Sequence, residues 1–235
     1  MSEKTVAVMQ PYLFPYLGYF QLLAAADVFV FYDDVDFIKQ GWINRNRILI
    51  NGEPHTFTVP CHNASSNETI QDVVIHKNWR RDKLLKKIRM TYANSPAFDG
   101  VFPLVERVIN KAGQQISTVA QNSVCEVASY LDMDVDFHRS SDLPADESLG
   151  RADRLIEITK HFEANTYINM EGGKTLYDKS YFASKGIALH FLEPSLPHYD
   201  QRKAEGFEPG LSIIDVMMNV SKEETQTMLQ EFQLT

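Results

Sequence analysis

The sequence predicts an α/β protein with a Rossmann-like, mostly parallel sheet, and three observations support this prediction. A β-branched run, residues 5–8, leads through a loop and a helix-like stretch, 20–26, into a second apolar run at 28–32. Short apolar runs and amphipathic stretches alternate again between residues 135 and 192. The stretches between the runs have the lengths of right-handed crossovers. Such alternation is typical of parallel βαβ units.

Two blocks interrupt this alternation. A two-stranded ribbon is predicted at residues 47–60, because Asn51-Gly52 is a favoured type I′ turn sequence between two β-rich runs. A polar loop, 62–68, separates the ribbon from a further predicted strand at 70–75. The apolar spacing then predicts a helical block, with helices at 79–92, 98–110 and 114–131.

The C-terminal part of the chain returns to α/β order. Predicted strands lie at 135–138, 166–169 and 187–192, and predicted helices at 151–162, 177–184, 211–220 and 221–232. The last helix starts with a capping box formed by Ser221 and Glu224. We therefore predict one α/β domain over residues 1–235, with a β-ribbon and a helical block (roughly 77–132) inserted and with C-terminal helices.

Composition excludes some classes of function. A chain of 235 residues can bury a sizeable core, and its net charge of -8 disfavours DNA binding, which usually needs a basic face. The two cysteines are far apart and no His or Cys pair has metal-ligand spacing, so we expect reduced thiols and no metal site. No signal peptide or membrane span is recognisable, so we expect a cytoplasmic protein without membrane insertion.

The loop after the first predicted strand is rich in aromatic residues and carries two prolines and one glycine. Open α/β sheets bind ligands at the carboxyl ends of their strands, where this loop lies. The candidates for ligand contact are Gln10, Tyr12, Tyr16, Gly18 and Tyr19. The glycine permits close approach at a helix start, where free N–H groups favour an anion. The alternative interpretation is that the aromatic residues form a packed edge of the core.

An acidic segment and a basic segment follow the second strand. Asp33 or Asp34 is a candidate general base, since both follow a strand end. Guanidinium groups suit phosphate oxygens and an indole suits a base or sugar face. The substrate-binding candidates here are Trp42, Asn44, Arg45 and Arg47. The alternative is a solvated charged loop.

Two further segments add candidates. A Gly-Gly-Lys turn follows the predicted strand at 166–169. Backbone N–H groups of glycines and a lysine side chain suit a bound phosphate. The candidates in this segment are Asn169, Gly172, Gly173 and Lys174. This turn lacks the earlier glycine of a Walker A motif. Ser212 and Asp215 lie one turn apart at the start of a C-terminal helix. The alternatives are a simple turn and a capped structural helix.

These motifs resemble those of the WbqC-like protein family. The resemblance rests on Met9–Phe20, Tyr32–Val35 and Gly41–Ile48, and it returns in residues 167–169, 172–173, 176–178 and 211–215. The family resembles products of bacterial surface-polysaccharide (O-antigen, lipopolysaccharide) gene clusters. The resemblance implies a transferase that attaches a glycyl, aminoacyl or acyl group to the amine of a nucleotide-linked amino sugar.

Several alternatives remain open at this stage. Under the transferase hypothesis Asp33 or Asp34 accepts a proton, Tyr16 and Tyr19 contribute to catalysis, and the donor is glycine with ATP, an aminoacyl-tRNA or a carrier-protein thioester. A second hypothesis is a non-catalytic sugar-nucleotide-binding module of a polysaccharide assembly complex. A third is an ATP-dependent ligase or nucleotidylyltransferase-like enzyme, because Tyr16-Leu17-Gly18-Tyr19 stands where such enzymes carry His-x-Gly-His.

Overall fold

The computed structural model describes residues 4–62, 64–111, 113–144, 148–202 and 204–235. In chain order its elements are β1 (Thr5–Met9), α1 (Leu17–Ala24), β2 (Val28–Phe31), β3 (Arg45–Ile50), β4 (Glu53–Thr58), α2 (Arg81–Tyr92), α3 (Phe98–Asn110), α4 (Ile116–Tyr130), β5 (Asp136–Arg139), α5 (Arg151–His161), β6 (Thr166–Met170), α6 (Lys179–Ser184), β7 (Ala188–Pro194), α7 (Ile213–Asn219), α8 (Lys222–Met228) and β8 (Phe232–Leu234).

The main sheet confirms the predicted Rossmann-like α/β class. Its strand order is β5-β2-β1-β6-β7-β8, and all neighbours pair in parallel except β7 and β8. From β1 the chain moves outward to β2 and β5, and it then returns on the other side of β1 as β6. The strand order therefore reverses between β1 and β6, which is where open α/β sheets form their ligand crevice.

Helices cover both faces of this sheet. The larger core contains α1, the helical block α2–α4 and the C-terminal helices, whereas α5 and α6 pack on the opposite face. Strand β2 is buried at every position, as expected for a strand covered on both sides. In β1, Val6 and Val8 face one core and Ala7 faces the other, because side chains alternate along a strand.

The inserted ribbon is formed by β3 and β4, which pair antiparallel in a separate two-stranded sheet. Asn51 and Gly52 have φ values of 55° and 88° at its tip. Two positive φ angles are the signature of the predicted type I′ turn. The inward residues Ile48 and Phe57 are buried, so the ribbon packs by one face against the larger core.

Two predicted elements were wrong. Residues 70–75 do not form a strand: they make a 3₁₀ turn, Ile70–Asp72, and then the isolated bridges of Val74 with Gln115 and of Ile75 with Cys61. The run is apolar because Ile70, Val73 and Ile75 are buried, without a partner strand alongside. The last predicted helix ends at Met228, and β8 follows because it pairs with the outer edge of β7.

No helix within the described ranges is both long enough and apolar enough to cross a bilayer.

Candidate functional site

The opening loop, residues 10–16, connects β1 to α1 and borders the crevice between β1 and β6. Its backbone is held from two sides. The side-chain amide of Asn46, on β3, donates to the carbonyls of Leu13 and Phe14 at 3.0 and 2.7 Å. The hydroxyl of Ser212 donates to the Phe14 carbonyl at 2.8 Å. Phe14 has a φ of 43°, so this loop keeps an uncommon backbone conformation that the two side chains stabilise.

Two predicted site residues outside the opening loop, Tyr19 and Ser212, form hydrogen bonds with it. Tyr19 is only 1% exposed, and its hydroxyl donates to the Gln10 carbonyl at 2.9 Å. Ser212 caps α7, accepting from the Ile214 N–H at 3.3 Å in addition to its bond to the loop. Tyr19 and Ser212 are therefore buried side chains that hold the backbone of the opening loop in place.

Tyr12 and Tyr16 are the half-buried aromatic residues of the loop. Burial, with smaller contributions from Tyr12 and Glu171, raises the pKa of Tyr16 to about 12. Burial also raises the pKa of Tyr12. Both phenols are therefore protonated at neutral pH and can donate hydrogen bonds to a ligand. The ring of Tyr16 packs directly against Gly18. A Cβ at this position would clash with it, since it would lie 2.5 Å from a ring carbon of Tyr16.

The turn after β6 meets the opening loop at the neighbouring strand end. Residues Glu171–Thr175 form a 3₁₀ turn. Gly173 is buried, and a Cβ there would lie 3.0 Å from the amide of Asn169 and 3.3 Å from the ring of Tyr177. Gly172, Lys174 and Glu171 are exposed. Glu171 directly follows β6 and Tyr16 ends the loop after β1, so a carboxylate and a phenol stand at the same edge of two neighbouring strands.

Asp33 is a buried residue at the end of β2, 1% exposed. Its Oδ2 accepts from the side-chain amide of Gln121 at 3.0 Å. Its Oδ1 accepts from the Ser141 N–H at 3.2 Å and from the Ser140 hydroxyl at 3.4 Å. Both carboxylate oxygens therefore have protein partners.

Asp34 forms a buried ion pair with Arg154, whose side chains are 2% and 6% exposed. Its other oxygen accepts from the Ser140 hydroxyl at 2.6 Å. The Arg154 guanidinium also lies 5.1 Å from the centre of the Tyr32 ring. Arg154 was missed by sequence reasoning, because a lone arginine in an amphipathic helix carries no signal that its partner lies at a strand end.

The basic segment contacts the rest of the protein through its side chains. Arg45 donates to the carbonyls of Gly41 and Gln40, and Arg47 forms an ion pair with Glu208 at 3.0 Å. The two guanidinium groups lie 5.6 and 5.9 Å from the ring of Trp42, which is 38% exposed. Asn44 donates to the Val59 carbonyl at 2.9 Å.

Asp215 is fully buried on α7, away from the opening loop. It accepts from the hydroxyl of Tyr92 at 2.5 Å and from that of Tyr199 at 2.8 Å. Burial raises the pKa of this carboxyl, although the hydrogen bonds oppose the shift. The predicted site residues thus divide into two groups: some lie at the β1–β6 crevice, and others are separated from it by the opening loop and α7.

The crevice group comprises Gln10, Tyr12, Tyr16, Gly18, Asn169, Gly172, Gly173 and Lys174, with Asp33 and Asp34 at the adjacent end of β2. Sequence reasoning missed Glu171 here and Asn46 beneath the loop. Asn46 lies in the same basic segment as the predicted Asn44, but the sequence alone does not indicate which of the two amides points inward. Among the described residues, no cluster of three or more His, Cys, Asp or Glu side chains could hold a metal ion.

The sheet and its crevice define an α/β protein of the doubly wound class, with polar and aromatic side chains at the strand-order reversal. The chain belongs to the WbqC-like protein family, which it matches over residues 10–227. It is also similar to the uncharacterized protein Rv1507c of Mycobacterium tuberculosis (strain ATCC 25618 / H37Rv). The two are 24% identical over 223 residues, which cover 94% of this chain and 95% of the relative.

Proposed function

We propose that this protein is a transferase that attaches an aminoacyl (glycyl) or acyl group to the amine of a nucleotide-linked amino sugar in bacterial surface-polysaccharide (O-antigen) biosynthesis. The observation that supports an enzyme is the placement of the half-buried Tyr16 and the exposed Glu171 at the carboxyl ends of the neighbouring strands β1 and β6. The polysaccharide role follows from the family resemblance. The cytoplasmic location expected from the sequence belongs to the same proposal.

The two side chains suit the steps of acyl transfer. The amine nitrogen of the sugar attacks the acyl carbonyl carbon and loses a proton, which the exposed Glu171 carboxylate accepts. The Tyr16 phenol keeps its own proton, because its pKa is raised to about 12, and donates a hydrogen bond to the carbonyl oxygen as negative charge develops there. The bond to the donor's leaving group then breaks, and that group departs with the electron pair.

The prediction that Asp33 or Asp34 is the base stays a prediction. In this structure their partners favour a positioning role: Asp33 joins β2 to α4 through Gln121, and Asp34 joins β2 to α5 through Arg154. Glu171→Gln and Asp33→Asn separate the two assignments. We expect the first to lower kcat by about 10²–10⁴-fold with the fold intact. If turnover is undiminished in Glu171→Gln and lost in Asp33→Asn, the general base is Asp33.

The transferase proposal is tested by mass spectrometry of a dTDP- or UDP-linked amino sugar after incubation with the protein. Three donors are offered separately: glycine with ATP, a glycyl-tRNA and a carrier-bound thioester. We expect one donor to add one glycyl or acyl unit to the sugar. Tyr16→Phe should slow the reaction, whereas Tyr130→Phe, a half-buried phenol on α4, should not.

One observation favours a second candidate function, a non-catalytic sugar-nucleotide-binding module. Both carboxylates after β2 are buried, and each is hydrogen-bonded by protein groups. A module of this kind would show a thermal shift with the nucleotide sugar and no mass gain with any donor. The absence of both responses would contradict both functions.

A further inference from the structure

A basic cleft lies on the far side of α7 from the opening loop. Its volume is about 610 Å³, and it is bounded by the tip of the ribbon, one face of α2 and the chain near residues 201–202. Leu49, Tyr92 and Asp215 are its buried wall residues. A volume of this size is typical of sites for small molecules.

The mouth of the cleft is positively charged. Lys83, Lys86 and Lys87 are spaced three and four residues apart, so they lie on one face of α2 and line the opening. None of their ammonium groups forms an ion pair with an acidic residue of the described part of the chain. Arg202 is fixed at the rim by its hydrogen bond to the Asn94 carbonyl, at 2.9 Å.

Asp215, the one carboxyl among the described lining residues, does not cancel this charge. Asp215 is fully buried, with both oxygens hydrogen-bonded by tyrosine hydroxyls, and burial raises its pKa toward the neutral form. The whole chain carries a formal charge of -8, so four basic side chains without an ion-pair partner among the described residues make this cleft a local reversal of sign. A cleft lined by one sign of charge concentrates ligands of the opposite sign.

The uncharged part of the lining indicates what else the ligand carries. Leu49 and Met90 supply apolar surface, while the side-chain amides of Asn51 and Asn94 supply both donors and acceptors. This mixture suits a flat polar ring or a sugar next to a charged group. An inorganic anion alone would leave the apolar wall and the amides unused.

We propose that the basic cleft binds a phosphate-bearing ligand of nucleotide size, with its phosphates at the α2 lysines and its uncharged part against Leu49 and Tyr92. This site is separate from the β1–β6 crevice. The proposal holds whether or not acyl transfer occurs there, because it uses neither Tyr16 nor Glu171.

The test is isothermal titration calorimetry of the full chain with ADP, UDP and pyrophosphate at low and at high salt. We expect saturable binding of at least one nucleotide, weaker binding of pyrophosphate, and a loss of affinity as salt increases. The variant Lys83→Gln/Lys86→Gln/Lys87→Gln should weaken nucleotide binding by about tenfold or more. Its matched control, Lys111→Gln/Lys160→Gln/Lys185→Gln, removes the same charge from exposed positions elsewhere and should bind like the wild type.

A second variant locates the ligand without removing a cation. Met90 is 73% exposed at the mouth of the cleft, so Met90→Glu should fold normally and weaken nucleotide binding by placing a negative charge beside the phosphates. Equal affinity in the wild type, the α2 lysine variant and Met90→Glu would overturn the proposal. So would the absence of saturable binding by all three probes.

Discussion

At the scale of single residues, two glycines determine where the crevice side chains lie. Replacing Gly18 by alanine would bring a Cβ within 2.8 Å of both Cζ and the hydroxyl oxygen of Tyr16. The obstacle is the far end of a side chain, so the ring can rotate away without unfolding the helix. We therefore expect Gly18→Ala to weaken binding of a nucleotide-linked amino sugar at the crevice, as measured by calorimetry, and to change the unfolding free energy by about 1 kcal/mol or less.

The neighbouring turn offers the control for this experiment. A Cβ on Gly172 would meet no heavy atom within 4 Å, whereas one on Gly173 would press on Asn169 and Tyr177. Gly172→Ala should therefore bind the nucleotide sugar like the wild type, and Gly173→Ala should resemble Gly18→Ala. If all three variants bind equally well, Tyr16 and Asn169 do not contact the ligand.

Residue contacts were the part of the site that sequence could predict least. The position of the opening loop followed from its place after the first strand, and the structure has it at the sheet's carboxyl edge. The roles of residues in this loop and after β2 depend on partners far along the chain: Gln121 for Asp33, Arg154 for Asp34 and Ser212 for Phe14. Hydrogen bonds between residues 88 to 198 positions apart leave no periodic pattern in a single sequence.

At the scale of elements, the buried side chain of Gln21 joins α1 to the C-terminal edge of the molecule. Its amide nitrogen lies 2.7, 2.8 and 3.0 Å from the carbonyl oxygens of Ser195, Met228 and Glu231, so its two N–H groups are shared among three acceptors. These carbonyls flank the end of β7, the end of α8 and the start of β8. One side chain therefore satisfies backbone groups at three element ends, where the regular hydrogen bonding stops.

We expect Gln21→Leu to lower the unfolding free energy by about 1–3 kcal/mol, because it leaves buried carbonyls without donors. Amide hydrogen exchange should also become faster in residues 230–235, since β8 loses an anchor. Urea unfolding and exchange mass spectrometry measure the two effects. Gln233→Leu, at an exposed position of β8, is the control and should leave both unchanged. Unaltered exchange in Gln21→Leu would show that pairing with β7 alone holds β8.

Long, strongly periodic elements were predicted well and short ones were not. Helix α3 spans Phe98–Asn110 as expected, because its apolar residues Val101, Val105 and Val108 recur at helical spacing over several turns. Strand β8 has three residues, and it exists because the edge of β7 offers unpaired backbone groups. Such a strand is defined by its neighbour, so local sequence cannot reveal it.

At the scale of the whole molecule, Asp215 lies where helix α2, the ribbon and the C-terminal part of the chain meet. Its carboxylate accepts hydrogen bonds from Tyr92 of α2 and from Tyr199 of the C-terminal loop. Leu49 of the ribbon lines the same cleft, and its backbone lowers the pKa of this carboxyl. The protonation state of that acid should therefore affect the stability of the entire fold.

The direction of the effect follows from the raised pKa. The folded protein binds the Asp215 proton more tightly than the unfolded chain does, so this proton stabilises the fold at low pH. That contribution is fully present below the ordinary aspartate value of about 3.9 and is lost as pH rises through the raised pKa of the folded state. Asp215→Asn keeps the size of the side chain and cannot titrate. Urea unfolding of both proteins from about pH 4 to about pH 8 should therefore show the wild type losing stability relative to Asp215→Asn as pH rises. The difference in unfolding free energy between the two proteins could instead stay constant over this range, or grow in favour of the wild type. Either result would mean that the tyrosine hydrogen bonds outweigh burial and keep the carboxylate ionised.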